Sequence, residues 1–325
     1  MSSVEASSGR MRNILRNISK SVRAVPLFRR SFRNWIAVLG QILNRSPTKR
    51  VVIRCGNIVL EGQLFNKNDL FVLADLLDNN FRVIPFGPNS LLVQSPEGIT
   101  IRVRVGRGAD LAHIREVFLL RVYGDKFADK VVFDVGMSNG DSSLFFAHMG
   151  ARLVLGFEPY KESYELAVEN IRRNSMESRV IPLNLAVSGT TGVGTLTVSS
   201  GFPNVNSLNP TDTIKDFVEF DHFERINTVL LEDIMDKYEI EKIDFLKMDC
   251  EGCEYTVIRS LSPERLRAIY EIYLEFHSGP EMLIKELQTN GFELRYERDK
   301  KLGYLVAKRY PELGSKSFSS YASGG

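Results

Sequence analysis

The chain has 325 residues, 43% of them hydrophobic and 25% charged, which is the balance of a globular domain with extensions, and no apolar run approaches the roughly 20 residues of a membrane-spanning helix. Three cysteines (Cys55, Cys250, Cys253) are an odd number and exclude a disulfide framework, and no apolar leader follows the first basic residues, so the expected compartment is the cytoplasm. The formal charge of +2 conceals an asymmetry: residues 1–50 hold eleven Lys or Arg against one acid, Glu5, a balance of +10 that leaves −8 for the remainder.

Residues 1–49 read as a basic helical arm. Met11, Ile14, Leu15, Ile18 and Val22 share one helical face, and Pro26 is expected to end that pattern. Ser31 is expected to cap a second helix with the stripe Phe32, Trp35, Ile36, Leu39, Ile42 and Leu43. A stripe this apolar is expected to pack on the catalytic domain or on a sister subunit in a homo-oligomer. The first stripe suits an anionic membrane surface, which would make the protein peripheral, or a protein partner, or no fixed structure. Residues 50–110 carry short β-rich runs at 51–54, 58–60, 81–83, 90–94 and 100–105, interrupted by one helix at 69–77, and form a small α+β extension. A helix at 112–123 opens the domain assigned to residues 111–310, and the Gly- and Ser-containing tail 311–325 is expected to be disordered.

From residue 130 onward strands and helices alternate. Strands are expected at 130–135, 152–157, 179–184, 243–248 and 269–276, and helices at 141–149, 161–174, 231–238, 254–261 and 280–290. A β-like run at 194–199 and a Gly/Pro/Asn-rich loop at 201–212 lie between, and an antiparallel pair, 292–296 with 302–308, closes the chain. The alternation predicts an α/β fold with a doubly wound, mostly parallel sheet covered on both faces. The closing hairpin is typical of the class I, Rossmann-like methyltransferase form of that fold, not of the dinucleotide-binding form.

The most informative stretch is Val131-Val132-Phe133-Asp134-Val135-Gly136-Met137-Ser138-Asn139-Gly140-Asp141, a buried strand breaking into a glycine-bent loop and a helix. The next strand ends in Glu158, 24 positions after Asp134 (158 − 134). An acid closing the second strand can accept hydrogen bonds from both hydroxyls of a ribose. The glycine spacing is Gly-x-x-x-Gly and lacks the third glycine of a pyrophosphate loop. Asp134 would repel phosphate and suits an ammonium, so the constellation favours S-adenosylmethionine (SAM) over NAD.

A second strand-to-helix junction, Ile243 to Glu254, puts Asp249 and Glu251 at the same sheet edge, and Glu275 and His277 share one side of the following strand. Here the chain resembles the FkbM-type methyltransferase family, over roughly residues 115–308. The matching pieces are Val-Phe-Asp-Val-Gly-x-x-x-Gly-Asp (132–141), Gly-Phe-Glu-Pro-Tyr (156–160), Asn-Leu-Ala-Val-Ser (184–188), Leu-Lys-Met-Asp-Cys-Glu-Gly-Cys-Glu (246–254) and Leu-Glu-Phe-His (274–277). The resemblance implies SAM-dependent methylation, usually of a hydroxyl on a sugar or natural product. It implies Asp134, Gly136 and Gly140 around the methionine part, Glu158 on the ribose, Ala186 near adenine and Asp249 near the reacting methyl. Ser138, Asn139 and Pro159 complete the expected cofactor set. The chain departs from the family at Met137 and Ser138, where small or aliphatic residues are common, and at Cys250 and Cys253, where Val and Ala are common.

Methylating a hydroxyl requires alignment and a proton acceptor. His277 and Asp249 are the candidates, His277 preferred because its ordinary pKa lies near neutrality. Asp249, Glu251 and His277 would also suit a hard cation such as Mg²⁺, although two carboxylates at a helix start need no metal, and no metal is expected. Cys250 and Cys253 are expected to be small apolar filling in place of a redox pair or half a zinc site. Asn204, Asn206 and Ser207 on the polar loop, with Glu251 and Glu275, are the expected acceptor-binding residues. The expected activity is O-methylation of a small-molecule or glycan acceptor. The rivals are methylation of RNA or other nucleic acid, disfavoured because no Asn-Pro-Pro-Tyr-type motif is present, and a decayed SAM-binding protein tethered by its arm.

Overall fold

The computed structural model describes residues 25–43, 48–208, 210, 215, 218–297 and 300–309. The stripe at 11–22 and the tail at 311–325 lie outside them. The strands in chain order are β1 (Thr48–Val52), β2 (Val59–Phe65), β3 (Arg82–Pro85), β4 (Ser90–Gln94), β5 (Thr100–Arg104), β6 (Val131–Val135), β7 (Leu153–Phe157), β8 (Val180–Leu183), β9 (Ala186–Val187), β10 (Gly192–Val198), β11 (His222–Val229), β12 (Phe245–Met248), β13 (Glu271–Phe276), β14 (Glu293–Tyr296) and β15 (Gly303–Lys308).

Seven strands form the central sheet in the order β14-β15-β13-β12-β6-β7-β8. β6, β7, β8, β12 and β13 are parallel, and β15 runs antiparallel to both β13 and β14. β6 (VVFDV) and β12 (FLKM) are buried at every position, as the central strands of a doubly covered sheet must be. Each carries one charge, and the register sets Asp134 opposite Lys247. The chain goes from β6 out to β8 on one side and returns to β12 and β13 on the other. The crevice beyond the carboxyl ends of β6 and β12 is therefore the switch point at which α/β sheets bind ligands.

The extension forms the sheet β3-β4-β5 and the hairpin β1-β2. Its helix, Lys67–Asp78, starts at a capping box in which Asn66 and Asp69 each satisfy the other's backbone N–H. It is fused to the catalytic sheet through one hydrophobic core that runs from Phe28 and Leu73 to Phe127, Phe145, Phe146 and Phe245. Each of these phenylalanines, fully buried, contributes about 1.5–3 kcal/mol. A polar seam adds to this. Asn174 accepts from Thr100 N (2.9 Å) and donates to Thr100 O (2.8 Å), and Asn170 does the same with Arg102 (2.7 and 3.0 Å). Two side chains one helical turn apart thus stand in for a neighbouring strand and close the β5 edge.

Several local expectations are corrected. Residues 25–31 are helical through Pro26. Ser31 lies in that helix, donating to Leu27 O (2.9 Å) and Ala74 O (3.0 Å), and does not cap a following one. The second helix starts at Trp35 and ends at Leu43, with Val38, Leu39 and Ile42 buried against the extension and Ile36 and Leu43 exposed. The expected helix at 112–123 is a short α-helix, Asp110–Ile114, continued by a π-helical turn, Arg115–Leu119. β9, β11 and the five-residue helix Pro263–Arg267 were not anticipated. No helix among the described residues is long and apolar enough to cross a membrane.

Candidate active site

The carboxyl ends of β6, β7, β12 and β13 open on one shared pocket, the place where α/β sheets bind small molecules. Gly136 follows β6 with φ +82°, and a Cβ there would stand 1.9 Å from Asp249 O. Only glycine lets the loop after β6 lie against the loop after β12. Gly140 (φ +85°) opens the helix Asp141–His148 and faces Ala167, whose Cβ would be 3.1 Å from an added one. Both glycines bring protein segments together, and Gly136, expected around the methionine part of the cofactor, also lines the pocket.

Asp134 is fully buried. Its Oδ2 accepts from the hydroxyls of Ser142 and Ser143 (2.6 Å each), and its Oδ1 lies 3.2 Å from Lys247 Nζ. Lys247 also donates to Gly136 O (2.6 Å). The carboxylate expected to meet an ammonium is thus committed inside the sheet. Asp141 stands at the pocket wall instead. Its Oδ1 accepts from Ser142 N (2.6 Å), its buried Oδ2 has no partner, and burial raises its pKa to about 6. The Gly-Asp step at 140–141 was the signal available for it in the sequence.

Glu158 closes β7 and lines the pocket. Its Oε2 accepts from Ser138 N (3.0 Å) and its Oε1 from Tyr160 N (2.9 Å). Burial pushes its pKa up to about 7, against the opposing pull of the Tyr160 amide and Arg104. Ser138, Pro159 and Ala186 also line the pocket. Asn139 lies behind it, fully buried, accepting from Asp141 N (3.1 Å) at the helix start.

Across the switch point Asp249, Glu251 and Glu275 line the pocket together with Tyr123, Tyr273 and Tyr304. Glu275 and Tyr304 are direct cross-strand neighbours on β13 and β15. Burial and the charge of Asp249 raise the Glu275 pKa to about 9. Burial acts the same way on Asp249, but Lys247 and His277 outweigh it and hold that carboxyl below its ordinary value. His277 is only 2% exposed, with Nε2 3.0 Å from Glu251 Oε2 and Nδ1 3.2 Å from Glu254 Oε1. Burial would lower its pKa, yet the two carboxylates prevail and raise it to about 11. Both ring nitrogens thus face carboxylates, and the side chain expected to accept a proton is engaged by Glu251 and Glu254.

Cys250 and Cys253 are joined in a disulfide, with Cα atoms 5.5 Å apart. This corrects the expectation of two apolar thiols. Glu251 (φ 58°) and Gly252 (φ 111°) both take left-handed turns and fold the chain so that the flanking side chains meet. The cysteine count therefore gives no guide to compartment. Cys55 is free and exposed.

The polar loop is more structural than expected. Asn204 lines the pocket but accepts from Ala109 N (2.9 Å) and donates to Asp110 and Ser138 (3.2 Å each). Asn206 accepts from Ser199 N (2.8 Å), leaving its buried Nδ2 without a partner at the pocket wall. Ser207 is buried and donates to Glu251 O. The expected list lacked His113, Glu116, Val117 and Tyr123, by which the segment before β6 walls the pocket. It also lacked Arg104, whose buried pair with Asp110 (2.9 Å) ties β5 to that segment and reaches Ser138 (3.4 Å). No motif marks these positions.

Strand order, switch-point pocket and closing antiparallel strand are those of a class I, Rossmann-like methyltransferase. Residues 134–296 match the model of the methyltransferase FkbM domain. The match spans half of the chain, which belongs to the FkbM family of SAM-dependent methyltransferases. Over 194 residues, 51% of this chain and 75% of the relative, it is 25% identical to methyltransferase sdnD of Sordaria araneosa. Among solved structures it is similar to methyltransferase FkbM of Methylobacillus flagellatus KT (14% identity, TM-score 0.40, covering 76% of this chain and 56% of that one). It is also similar to the ribosomal protein L11 methylase of Lactobacillus delbrueckii subsp. bulgaricus (13% identity, TM-score 0.32, covering 61% and 78%).

Proposed function

We propose that the protein transfers a methyl group from SAM to a hydroxyl of a sugar, glycan or glycan-linked lipid. The observation that carries this reading is the division of one pocket into two ends. Glu158, Pro159 and Ala186 stand at the β7 side, and three carboxyl groups with Tyr273 and Tyr304 stand at the β12, β13 and β15 side, joined by Tyr123 from the segment before β6. SAM supplies a methyl on a sulfonium, which leaves as a neutral thioether. Glu158 offers acceptors to ribose hydroxyls, and Asp141 Oδ2 offers a buried negative atom to the ammonium. At the other end carboxylates accept hydrogen bonds from hydroxyls, and the tyrosine rings offer flat apolar faces to a sugar ring. Asp249, held ionised by Lys247 and His277, receives the hydroxyl proton as the C–O bond forms and the C–S bond breaks.

The negative acceptor end opposes a nucleic-acid phosphate backbone. It does not oppose an amine, for which acids and aromatic rings are also a fitting surround, so N-methylation is the second reading. Purified protein, labelled SAM and fractionated glycans and amines separate the two by the product's mass spectrum. The expected product is a methyl ether, lost in Asp249→Asn. Tight SAM binding with no labelled product from any fraction would point to a decayed binding protein.

A further inference from the structure

Asp249, Glu251 and His277 each contribute a ligand atom to one cluster, the three atoms lying within 4.8 Å of one another. We propose that the cluster binds a divalent cation of the Mg²⁺/Mn²⁺ class, and that the acceptor presents two adjacent oxygens to complete its coordination. The cation site stands by itself; the acceptor half rests on the methyltransferase reading.

The ligand chemistry fits. Two carboxylates and one imidazole suit small divalent ions, and the nitrogen favours Mn²⁺ over Mg²⁺. The geometry fits as well. His277 Nε2 and Glu251 Oε2 are 3.0 Å apart, and adjacent ligands of an octahedral ion with bonds of about 2.1 Å are separated by about 3.0 Å.

An independent observation comes from the far side of the imidazole. His277 Nδ1 lies 3.2 Å from Oε1 of Glu254, which is fully buried and itself accepts from Cys250 N (3.2 Å) and Gly252 N (3.4 Å). A histidine that binds a metal through one nitrogen almost always directs the other to a carboxylate, which fixes its ring and tautomer. Nδ1 makes no hydrogen bond in this arrangement, and the Glu254 carboxylate is the acceptor that stands within reach of it.

Charge gives the same answer. Glu251 and Glu254 flank a single imidazole and Asp249 completes the cluster, while Lys247 is already engaged by Asp134. Desolvated carboxylates without enough cations are costly. A dication supplies the missing charge, and the imidazole then serves as a neutral ligand. The ligand set is held in advance, because the disulfide and Ser207 pin the loop that carries Glu251. Asp249 and Glu251 line the pocket, so the open positions on the cation face the acceptor. A vicinal diol, with two oxygens on neighbouring carbons, fills two of them.

Protein freed of metal by a chelator is titrated with Mn²⁺ alone, and free Mn²⁺ is read by electron paramagnetic resonance. One site per chain is expected, weakened at least tenfold in Asp249→Asn. It is also expected to be weakened at least tenfold in Glu254→Gln, which touches His277 and the Cys250–Gly252 backbone but not the ion. Thermal melting and SAM calorimetry check that both variants fold. No bound Mn²⁺ in the unsubstituted protein, or an affinity unmoved by both substitutions, overturns the cation site. Transfer lost on chelation, restored by Mn²⁺ and stronger on vicinal diols than on their monodeoxy analogues supports the acceptor half. Equal transfer to both after chelation overturns it. Mn²⁺ bound as expected with no acceptor ever methylated leaves the cation site standing and removes the methyltransferase reading.

Discussion

Replacing Lys247 with methionine keeps the length of the side chain and deletes its charge. The ammonium lies 3.2 Å from Asp134, and the two side chains are 4% and 0% exposed. Removing one partner of such a pair strands the other charge in the interior, at a cost of about 3–5 kcal/mol. Asp134 keeps the hydroxyls of Ser142 and Ser143 at 2.6 Å, which offset part of the loss, so the lower end, about 3 kcal/mol, is expected. Adding Asp134→Asn removes the stranded charge. The double variant should then be more stable than the sum of the single losses by about 2–3 kcal/mol. Urea unfolding followed by circular dichroism, with midpoint and slope fitted for all four proteins, measures the cycle. A Lys247→Met cost under about 1 kcal/mol, or an additive double variant, would show that the lysine does not neutralise Asp134.

Three further outcomes are expected. In Gly136→Ala the added carbon would sit 1.9 Å from Asp249 O where ordinary contact begins at 3.4 Å, with φ at +82°. The loops must separate, and calorimetry should find SAM affinity reduced at least tenfold in a folded protein. Asp141→Asn removes a buried charge from the ammonium end and should weaken SAM by about ten- to a hundredfold, the equivalent of a charge-assisted hydrogen bond of about 1.5–3 kcal/mol; an unchanged dissociation constant would return that role to another residue. Glu158, with its pKa raised to about 7, accepts from ribose best when ionised, so SAM affinity should fall as pH drops from 8 to 6, and Glu158→Gln should leave only the later fall set by Asp141 near 6. Its effect on stability has the opposite sign: the folded state holds the proton more tightly, so this contribution declines as pH rises from the ordinary carboxyl value through about 7.

The parallel strands were legible because burial on both faces leaves nearly unbroken apolar runs, as in Leu153–Phe157 and, but for Asp134, in Val131–Val135. β11 was not, because His222–Val229 mixes charges with exposed positions and is recognisable only beside its partner β10. Glu158 and Asp249 could be placed because each follows a strand end. Which acid faces the ligand could not. Asp134 and Asp141 lie on one motif, and only the register that sets Asp134 against Lys247 separates them. His277 was preferred as the proton acceptor without sight of its carboxylate partners, because Glu251 and Glu254 both belong to a different strand-to-helix junction. The Cys250–Cys253 bridge depends on left-handed backbone at Glu251, which its residue type does not announce.

The family match begins at Asp134, inside β6, and ends at Tyr296, before β15 inserts between β13 and β14. The portion that carries the signature is therefore not a self-sufficient unit: cut out, it would start in mid-strand and leave β14 without a neighbour. Tyr123 and Tyr304 both fall outside it. Transplanting residues 134–296 between family members would move most of the pocket and leave behind the part of its wall that Tyr123 and Tyr304 supply. Two relatives identical at every signature position can thus differ in the shape of this pocket, and the difference would be written in the flanks.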